Sequence, residues 1–331
     1  MRLKRAGHIS QRKLIEIMRV MEGSEGPMGA RAISDCLASR GYDIGERAVR
    51  YNLKILDEMG FTRKRGYSGR VLTPLGLREL DDALVDDRIG FVNTRIEEYM
   101  FRTGLDLRSR SGDVIANLSM VDKAECERFL QVLDAAYDAG YTTSRRVLLL
   151  EEGDGPSQVP PGCLGIATVC SITLDGILLK GGIPVETSFA GVVEIREGRA
   201  VQFVDLIAYA GTSIDPMRVF LARRVTSVAG AMESGSGLAL ANVREVPVAA
   251  TDQARDLLDL ARGAGLDGML GIGGPGEPIL GCPVRPGRIG IALFAGVNGP
   301  VAAEELSIPV RTAPLSMLVD YGRMREAAGQ E

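Results

Sequence analysis

The sequence predicts an α+β protein with a small, mostly helical N-terminal domain followed by a longer, internally duplicated α+β domain. Two observations support this fold class. The last three quarters of the 331-residue chain contain one pattern twice, at a constant offset of 125 residues, as in Pro161 and Pro286. In addition, the first 78 residues carry 16 Lys and Arg against 8 Asp and Glu, although the whole chain has a net charge of -4. Residues 1–80 are therefore predicted to form a separate basic domain, and residues 81–331 a second domain.

Hydrophobic spacing predicts three helices and then a hairpin in the first domain. Ser10 is a candidate N-cap of the first helix, and the second helix is predicted from about Gly29 to Ser39. The third covers “ERAVRYNLKILDEMGF”, with Val49, Leu53 and Leu56 on one apolar stripe. The stretch “TRKRGYSGRVLT” has glycines at the tip of a predicted hairpin. This order of elements is typical of a winged helix-turn-helix.

Both the third helix and the hairpin are rich in basic side chains, which predicts binding to double-stranded DNA. A helix fits the major groove, where Arg reads guanine and Asn reads adenine, and clustered cations release the counterions of phosphates. The predicted DNA-binding residues are Arg47, Arg50, Tyr51, Asn52, Lys54, Arg63, Lys64, Arg65, Tyr67 and Arg70. The alternative is a winged helix that contacts only other proteins, but it would not explain the basic wing.

The second domain is predicted to consist of two similar halves, at about 86–210 and 211–331. Each half begins with a strand, “DVIANLSMV” or “LALANVREV”, which a helix and further strands follow. Residues 79–111 are charged and have a helical pattern, as expected of a connector between domains. Because related halves can bury their apolar faces against each other, the duplication predicts a seam, and ligands often bind at such seams.

Several long motifs carry a family resemblance that covers nearly the whole chain. “RAVRYNLKILDEMGF” lies in the predicted winged helix, and “PGCLGIATVCSITLDGILLKGGIPV”, “DPMRVF” and “VNGPVAAEE” lie in the duplicated domain. These segments resemble the NrpR family of prokaryotic, mainly archaeal, nitrogen-regulation repressors. The resemblance implies a cytoplasmic homodimer or higher oligomer that represses nitrogen-assimilation genes from an inverted-repeat operator. It further implies release by the effector 2-oxoglutarate, and basal transcription factors are a further candidate partner.

A dicarboxylate effector needs cationic, hydroxyl and backbone N–H groups, which three stretches of the duplicated domain offer. They are “CSIT”, which precedes a predicted turn at Asp175-Gly176, the stretch “KGG”, and the loop of the second copy that precedes Ile308-Pro309 and continues beyond it. The predicted effector-binding residues are Cys170, Ser171, Thr173, Lys180, Gly181, Gly182, Asn298 and Arg311. Thr173 and Asn298 are related by the 125-residue offset, so one ligand at the seam would meet both copies. A winged-helix regulator that senses a different small metabolite is the alternative.

Residue usage argues against other function classes. The only histidine, His8, lies in the basic domain, and no Ser, Cys or Lys has an evident activating neighbour. An enzyme that uses the duplicated domain is therefore the less favoured alternative. The five cysteines form no CxxC pair, so neither a metal nor another cofactor is expected. No apolar run reaches 18 residues, so the chain is expected to be soluble and intracellular, without a membrane partner.

Overall fold

In the described part of the N-terminal unit, three helices and a two-stranded hairpin are followed by helical residues at 74–77. The computed structural model describes residues 8–24, 26–39, 42, 44–66, 68–77, 80, 91–155, 159–210, 212 and 214–327. The chain divides into two compact units, Met1–Ile89 and Gly90–Glu331. The first unit includes the helices α1 (His8–Glu22), α2 (Ala30–Ser39) and α3 (Glu46–Glu58) and the strands β1 (Thr62–Lys64) and β2 (Arg70–Leu72).

Apolar residues at helical spacing form the core of this first unit. Leu14 and Ile17 come from α1, Ile33 from α2, and Val49 and Leu53 from α3, and all five are fully buried. The strands β1 and β2 pair in antiparallel orientation beside the helices. Three helices followed by a hairpin confirm the predicted winged helix-turn-helix.

The second unit repeats one order of strands and helices. Its first part contains helix α4 (Phe91–Arg102), strand β3 (Asp113–Asp122), helix α5 (Cys126–Asp138), strands β4 (Arg146–Leu150) and β5 (Cys163–Val169), helix α6 (Ile172–Lys180), and strands β6 (Glu186–Arg196) and β7 (Arg199–Ala208). Its second part contains helices α7 (Pro216–Arg223) and α8 (Val228–Ser234), strand β8 (Gly237–Pro247), helix α9 (Thr251–Gly263), strands β9 (Met269–Ile272) and β10 (Arg288–Phe294), helix α10 (Asn298–Glu305), and strands β11 (Val310–Asp320) and β12 (Arg325–Glu326). Shifted by 125 residues, β5 coincides with β10. The predicted duplicated α+β fold is confirmed.

The two copies exchange strands between two five-stranded sheets. One sheet has the order β7-β6-β8-β10-β9, and the other has the order β11-β3-β5-β4-β12. Strand β6 belongs to the first copy but pairs with β8 of the second, whereas β11 belongs to the second copy but pairs with β3 of the first. The exchange is symmetric, because Arg311 opposite Met120 corresponds, at the 125-residue offset, to Glu186 opposite Glu245.

Because of this exchange, the predicted seam is not a boundary between two separate halves. The sequence halves at about 86–210 and 211–331 mark the repeat, yet each half gives its last repeated strand to the sheet of the other. Backbone hydrogen bonds between strands therefore join the halves, in addition to the apolar packing that the duplication predicts.

The turn predicted at Asp175-Gly176 is wrong, because both residues lie inside α6. Seven of the nine residues of α6 are buried, so the helix lacks the one-sided apolar pattern by which a surface helix is recognised. Gly176 instead allows α6 to pack closely against Thr103, because a Cβ at this position would lie 2.5 Å from Oγ1 of Thr103. Asn298 and Gly299, which were expected in a loop, likewise begin the helix α10.

The connector predicted at 79–111 is helical only in part. Helix α4 covers Phe91–Arg102, and residues 103–112 are not helical. Residues 79 and 81–90 of the predicted connector lie outside the described residues, whereas Leu80 is described.

A buried ion pair also links the two copies. Nε of Arg244 on β8 lies 2.7 Å from Oδ1 of Asp175 on α6, and both side chains are fully buried. Thr187 on β6 donates a hydrogen bond of 2.6 Å to Oδ2 of the same carboxylate. No solvent is available to replace either partner, so removal of one charge leaves the other without compensation.

We expect Arg244→Met to lower the free energy of unfolding by about 3–5 kcal/mol, because the Asp175 carboxylate stays buried without its counter-charge. Urea denaturation followed by circular dichroism measures this change. The double variant Arg244→Met/Asp175→Leu removes both charges and should recover part of the loss. A single variant as stable as the wild type would contradict this role of the pair.

Candidate functional site

One face of α3 presents basic and aromatic side chains to solvent. Val49 and its stripe are buried, whereas Arg47, Arg50, Tyr51 and Lys54 are exposed. Arg50 forms an ion pair with Glu46 one turn earlier on the same helix, at a largely exposed position. Such exposed pairs contribute little to stability, so Arg50 can exchange its partner for a phosphate or a base.

Asn52 is not available on this face, which corrects the prediction that it reads adenine. Its side chain is 6% exposed, and its Nδ2 donates a hydrogen bond of 2.8 Å to the carbonyl oxygen of Ala48. Position 52 follows Val49 by three residues and precedes Leu56 by four, so it lies on the buried stripe of the helix.

The wing contains two kinds of basic residue. Arg63, Lys64 and Arg65 are exposed, as a contact with nucleic acid requires. In contrast, Nε of Arg70 lies 2.7 Å from Oδ2 of Asp57 on α3. Arg70 therefore links the wing to the helix, and its predicted contact with DNA stays a prediction. The remaining predicted wing residue, Tyr67, lies outside the described residues.

Thr173 and Asn298 have a structural role, which corrects their assignment to effector binding. Thr173 Oγ1 accepts a hydrogen bond from the backbone N–H of Ile115 and donates one to its carbonyl oxygen, at 3.0 and 3.1 Å. Asn298 does the same for Leu240, with both distances at 2.9 Å. Ile115 and Leu240 are themselves related by 125 residues, so the two polar residues anchor equivalent helix starts to equivalent strands. Both are fully buried and have no remaining group that faces a ligand.

Cys170 and Ser171 line a small cavity at the seam. Its volume is about 20 Å³, which is the size of one water molecule and too small for a dicarboxylate. Ser171 Oγ donates to Oδ1 of Asn242 at 2.9 Å, and burial raises the pKa of Cys170 to about 12. Asp215 also lines the cavity, and burial raises the pKa of its carboxyl group. In this structure the seam therefore leaves no space for the predicted dicarboxylate.

The “KGG” stretch ends α6 and packs against other helices. Nζ of Lys180 lies 4.7 Å from the ring centroid of Phe101 on α4, and the carbonyl oxygen of Gly181 accepts a hydrogen bond of 2.7 Å from Gln253 on α9. Gly182 has a φ of +85°, which favours glycine after a helix end. These contacts are structural, and none of the three residues lines the groove that contains Arg311.

Arg311 lies in an open groove of about 700 Å³ between α7, α10 and β11. We call it the arginine groove. Its lining residues are Arg218, Leu221, Ala222, Arg224, Pro300, Val301, Glu304, Val310, Arg311, Thr312 and Ala313. The volume lies within the range of about 300 to 1,000 Å³ that is usual for small-molecule sites.

The arginine groove is cationic. Arg224 is paired with Glu304, with Nη2 2.5 Å from Oε1. Arg218 and Arg311 form no ion pair with any residue that the structure describes. Guanidinium groups bind carboxylates with two parallel hydrogen bonds, so two unpaired arginines at one groove form a candidate anion site.

The arginine groove includes residues that the sequence prediction missed. Arg218 and Arg224 come from the segment “DPMRVFLARR”, which precedes the first strand of the second copy. Its motif “DPMRVF” carried part of the family resemblance, but nothing in its spacing connected Arg218 with Arg311 in β11. Only the placement of α7 beside β11 brings them to one groove.

Two known families match separate parts of the chain. The family described as NrpR regulatory domains NRD1 and 2 matches residues 89–326, and the Ribonuclease R winged-helix domain matches residues 15–80. The Global nitrogen regulator NrpRI of Methanosarcina mazei is 49% identical over 316 residues, which are 96% of this chain and 98% of that protein. The chain belongs to the NrpR family.

Other NrpR relatives extend the comparison. The Global nitrogen regulator NrpR of Methanocaldococcus jannaschii is 35% identical over 308 residues, which are 93% of this chain but 54% of that protein. The chain thus spans about half the length of that relative. The crystal structure of a nitrogen repressor-like protein from Methanococcus jannaschii has a TM-score of 0.61 and 26% identity, and the match covers 72% of this chain and 98% of the other.

The NrpR relatives are regulators, which confirms the prediction that the chain is not an enzyme. Within the described part of the chain, no helix is long and apolar enough to cross a membrane. The same residues contain no group of three or more His, Cys, Asp or Glu side chains placed to hold a metal ion.

We expect Thr173→Val to lower the free energy of unfolding by about 1–3 kcal/mol for each backbone group that loses its partner. Thr173→Ser keeps the hydroxyl and serves as the control, with a smaller loss. Chemical denaturation of both variants measures the difference. Equal stability of the Val and Ser variants would contradict the anchoring role of this hydroxyl.

Proposed function

We propose that this NrpR-family protein is a cytoplasmic transcriptional repressor of nitrogen-assimilation genes. Its winged helix binds operator DNA, and a dicarboxylate, 2-oxoglutarate, releases it by binding in the arginine groove. The observation that carries the effector part of the proposal is the pair of unpaired arginines, Arg218 and Arg311, at one ligand-sized groove. A regulator that senses another small anion is the remaining alternative, and a panel of ligands distinguishes the two.

The exposed residues of α3 and the wing support DNA binding. Arg47, Tyr51 and Lys54 share the solvent face of α3, and Arg63 and Arg65 extend the basic surface to the wing. A helix in the major groove reads bases with such side chains, while wing cations contact the phosphate backbone.

The proposed complex with DNA contains two copies of the chain. A single winged helix contacts only one half-site, so specific recognition of an inverted repeat needs two chains. In the proposed complex the two recognition helices are separated by about 34 Å or a multiple of it.

We expect Arg47→Ala to weaken binding to an operator fragment by about five- to 150-fold, since one good base contact contributes about 1–3 kcal/mol. The fragment is selected from random duplexes by the wild-type protein, and fluorescence anisotropy at fixed salt measures the affinity. Arg65→Ala should weaken specific and random DNA alike and reduce the salt dependence by about one counterion.

Arg199→Ala, an exposed arginine of β7, controls for the loss of one positive charge, and its DNA affinity should match the wild type. The melting temperature of the three variants should stay within about 2 °C of the wild type, because each side chain is exposed. Wild-type affinity in both Arg47→Ala and Arg65→Ala would refute the proposed DNA-binding face.

The effector prediction concerns Arg311 and Arg218. 2-Oxoglutarate should weaken operator binding by the wild type by about five- to 150-fold, and operator DNA should weaken 2-oxoglutarate binding by the same factor. Arg311→Ala and Arg218→Ala should each reduce this response strongly while the affinity of the effector-free protein for DNA stays unchanged. Anisotropy titrations with and without 2-oxoglutarate measure both effects.

The control for these variants is Arg255→Ala, an exposed arginine of α9 that does not line the arginine groove. It should respond like the wild type. If both groove variants also respond like the wild type, the effector binds elsewhere. If the wild type responds to no dicarboxylate but to another anion, the alternative regulator is favoured.

A further inference from the structure

The two copies differ in charge at the positions that line the arginine groove. Asp175 of the first copy corresponds to Pro300 of the second, and Glu186 corresponds to Arg311. In the first copy both carboxylates are paired, Asp175 with Arg244 and Glu186 with Arg285. The second copy therefore has no carboxylate at the two positions where the first copy has Asp175 and Glu186.

The hydroxyl that binds the first of these carboxylates is present in both copies. Thr187 lies opposite Arg244 in the pairing of β6 with β8, and its Oγ1 donates to Asp175 at 2.6 Å. The equivalent Thr312 lies opposite Ser119 in the pairing of β11 with β3. Thr312 is thus in the same environment of the sheet, but the carboxylate beside it is missing.

The replacement of Arg244 by Ser119 keeps Thr312 available to a ligand. The two hydroxyl oxygens of Ser119 and Thr312 are 2.9 Å apart, and Ser119 is fully buried behind Thr312. A hydroxyl accepts and donates at the same time, so Thr312 can accept from Ser119 and donate its own hydrogen to a carboxylate in the groove. Thr312 and Pro300 both line the arginine groove, so this position is open to the ligand.

We infer that the arginine groove binds one dicarboxylate per chain, and that the ligand supplies the two carboxylates that the second copy lacks. This inference rests on the proposed function and specifies its site. One ligand carboxylate lies beside Pro300, where Asp175 lies in the first copy, and accepts a hydrogen bond from Thr312. The other carboxylate pairs with Arg311, which replaces Glu186, and with Arg218. The equivalent position of the first copy is filled by Asp175 itself and binds no second molecule.

Isothermal titration calorimetry of the full chain at fixed salt tests this arrangement. The ligands are 2-oxoglutarate and the monocarboxylate 2-oxobutyrate. We expect one 2-oxoglutarate per chain and at least tenfold weaker binding of 2-oxobutyrate, because its single carboxylate can occupy only one of the two proposed carboxylate positions. Thr312→Val should weaken 2-oxoglutarate binding at least tenfold, while the equivalent variant of the first copy, Thr187→Val, should bind like the wild type.

A second variant tests the same position in a different way. Pro300→Asp installs the carboxylate that Asp175 provides in the first copy, so it should compete with the ligand and weaken binding at least tenfold. Pro300→Asn adds a side chain of the same size without the charge, so it should weaken binding less than Pro300→Asp. Thermal unfolding checks that each variant is folded.

Three outcomes would overturn the inference. If both Thr312→Val and Pro300→Asp bind 2-oxoglutarate with wild-type affinity, no ligand carboxylate lies beside Pro300 and Thr312. The proposed effector role of Arg311 would be unaffected by that result. Two ligands per chain would show that the first copy is not filled by its own carboxylate. A wild type that binds no dicarboxylate would overturn both this inference and the proposed effector.

Discussion

The exchange of strands between the two copies is the constraint on which the rest of the regulatory unit depends. Each sheet contains two strands from the other copy, and one of these two, β11 or β6, covers an edge of β3 or β8. Without the exchange, both edges would present unpaired N–H and C=O groups. Arg311 lies on an exchanged strand, so a ligand that moves β11 also acts on β3 of the other copy. The site is therefore joined to both copies through the pairing of β11 with β3.

The two copies share their internal anchors and differ where the groove opens. Thr173 and Asn298 differ in chemistry but satisfy the same backbone groups of equivalent strands. Such anchors cannot change their hydrogen bonding without leaving buried groups unpaired, which limits them to a structural role. In contrast, the surface positions of Glu186 and Arg311 carry opposite charges. Duplication thus gave two similar frameworks, of which one is closed by internal ion pairs and the other is open to an anion.

The sequence predicted the winged helix and the repeat because both depend on local spacing. The apolar stripe of α3 and the offset of 125 residues are visible without knowledge of which strands pair. The strand exchange is not visible, since a repeat offset does not say to which copy the last strand of each unit belongs. Helix α6 was missed because it is buried on nearly all sides and has no amphipathic period.

The site was predicted only in part, for a similar reason. Residue type identified Arg311, but it did not distinguish a hydroxyl or amide that faces a ligand from one that bonds to the backbone, as in Thr173 and Asn298. Asn52 failed in the same way, because its burial and its hydrogen bond to Ala48 depend on the folded structure. Arg218 was absent from the prediction because its segment, “DPMRVF”, is not one of the motifs that recur at the 125-residue offset.

A crystal structure of the protein with 2-oxoglutarate tests the central claim most directly. The account predicts one ligand per chain in the arginine groove, with one carboxylate within hydrogen-bond distance of Thr312 Oγ1 and the other paired with Arg311. Asp175 should retain its contact with Arg244 in the same crystal. A ligand bound in the seam beside Ser171 and Asn242, with the arginine groove empty, would contradict the account.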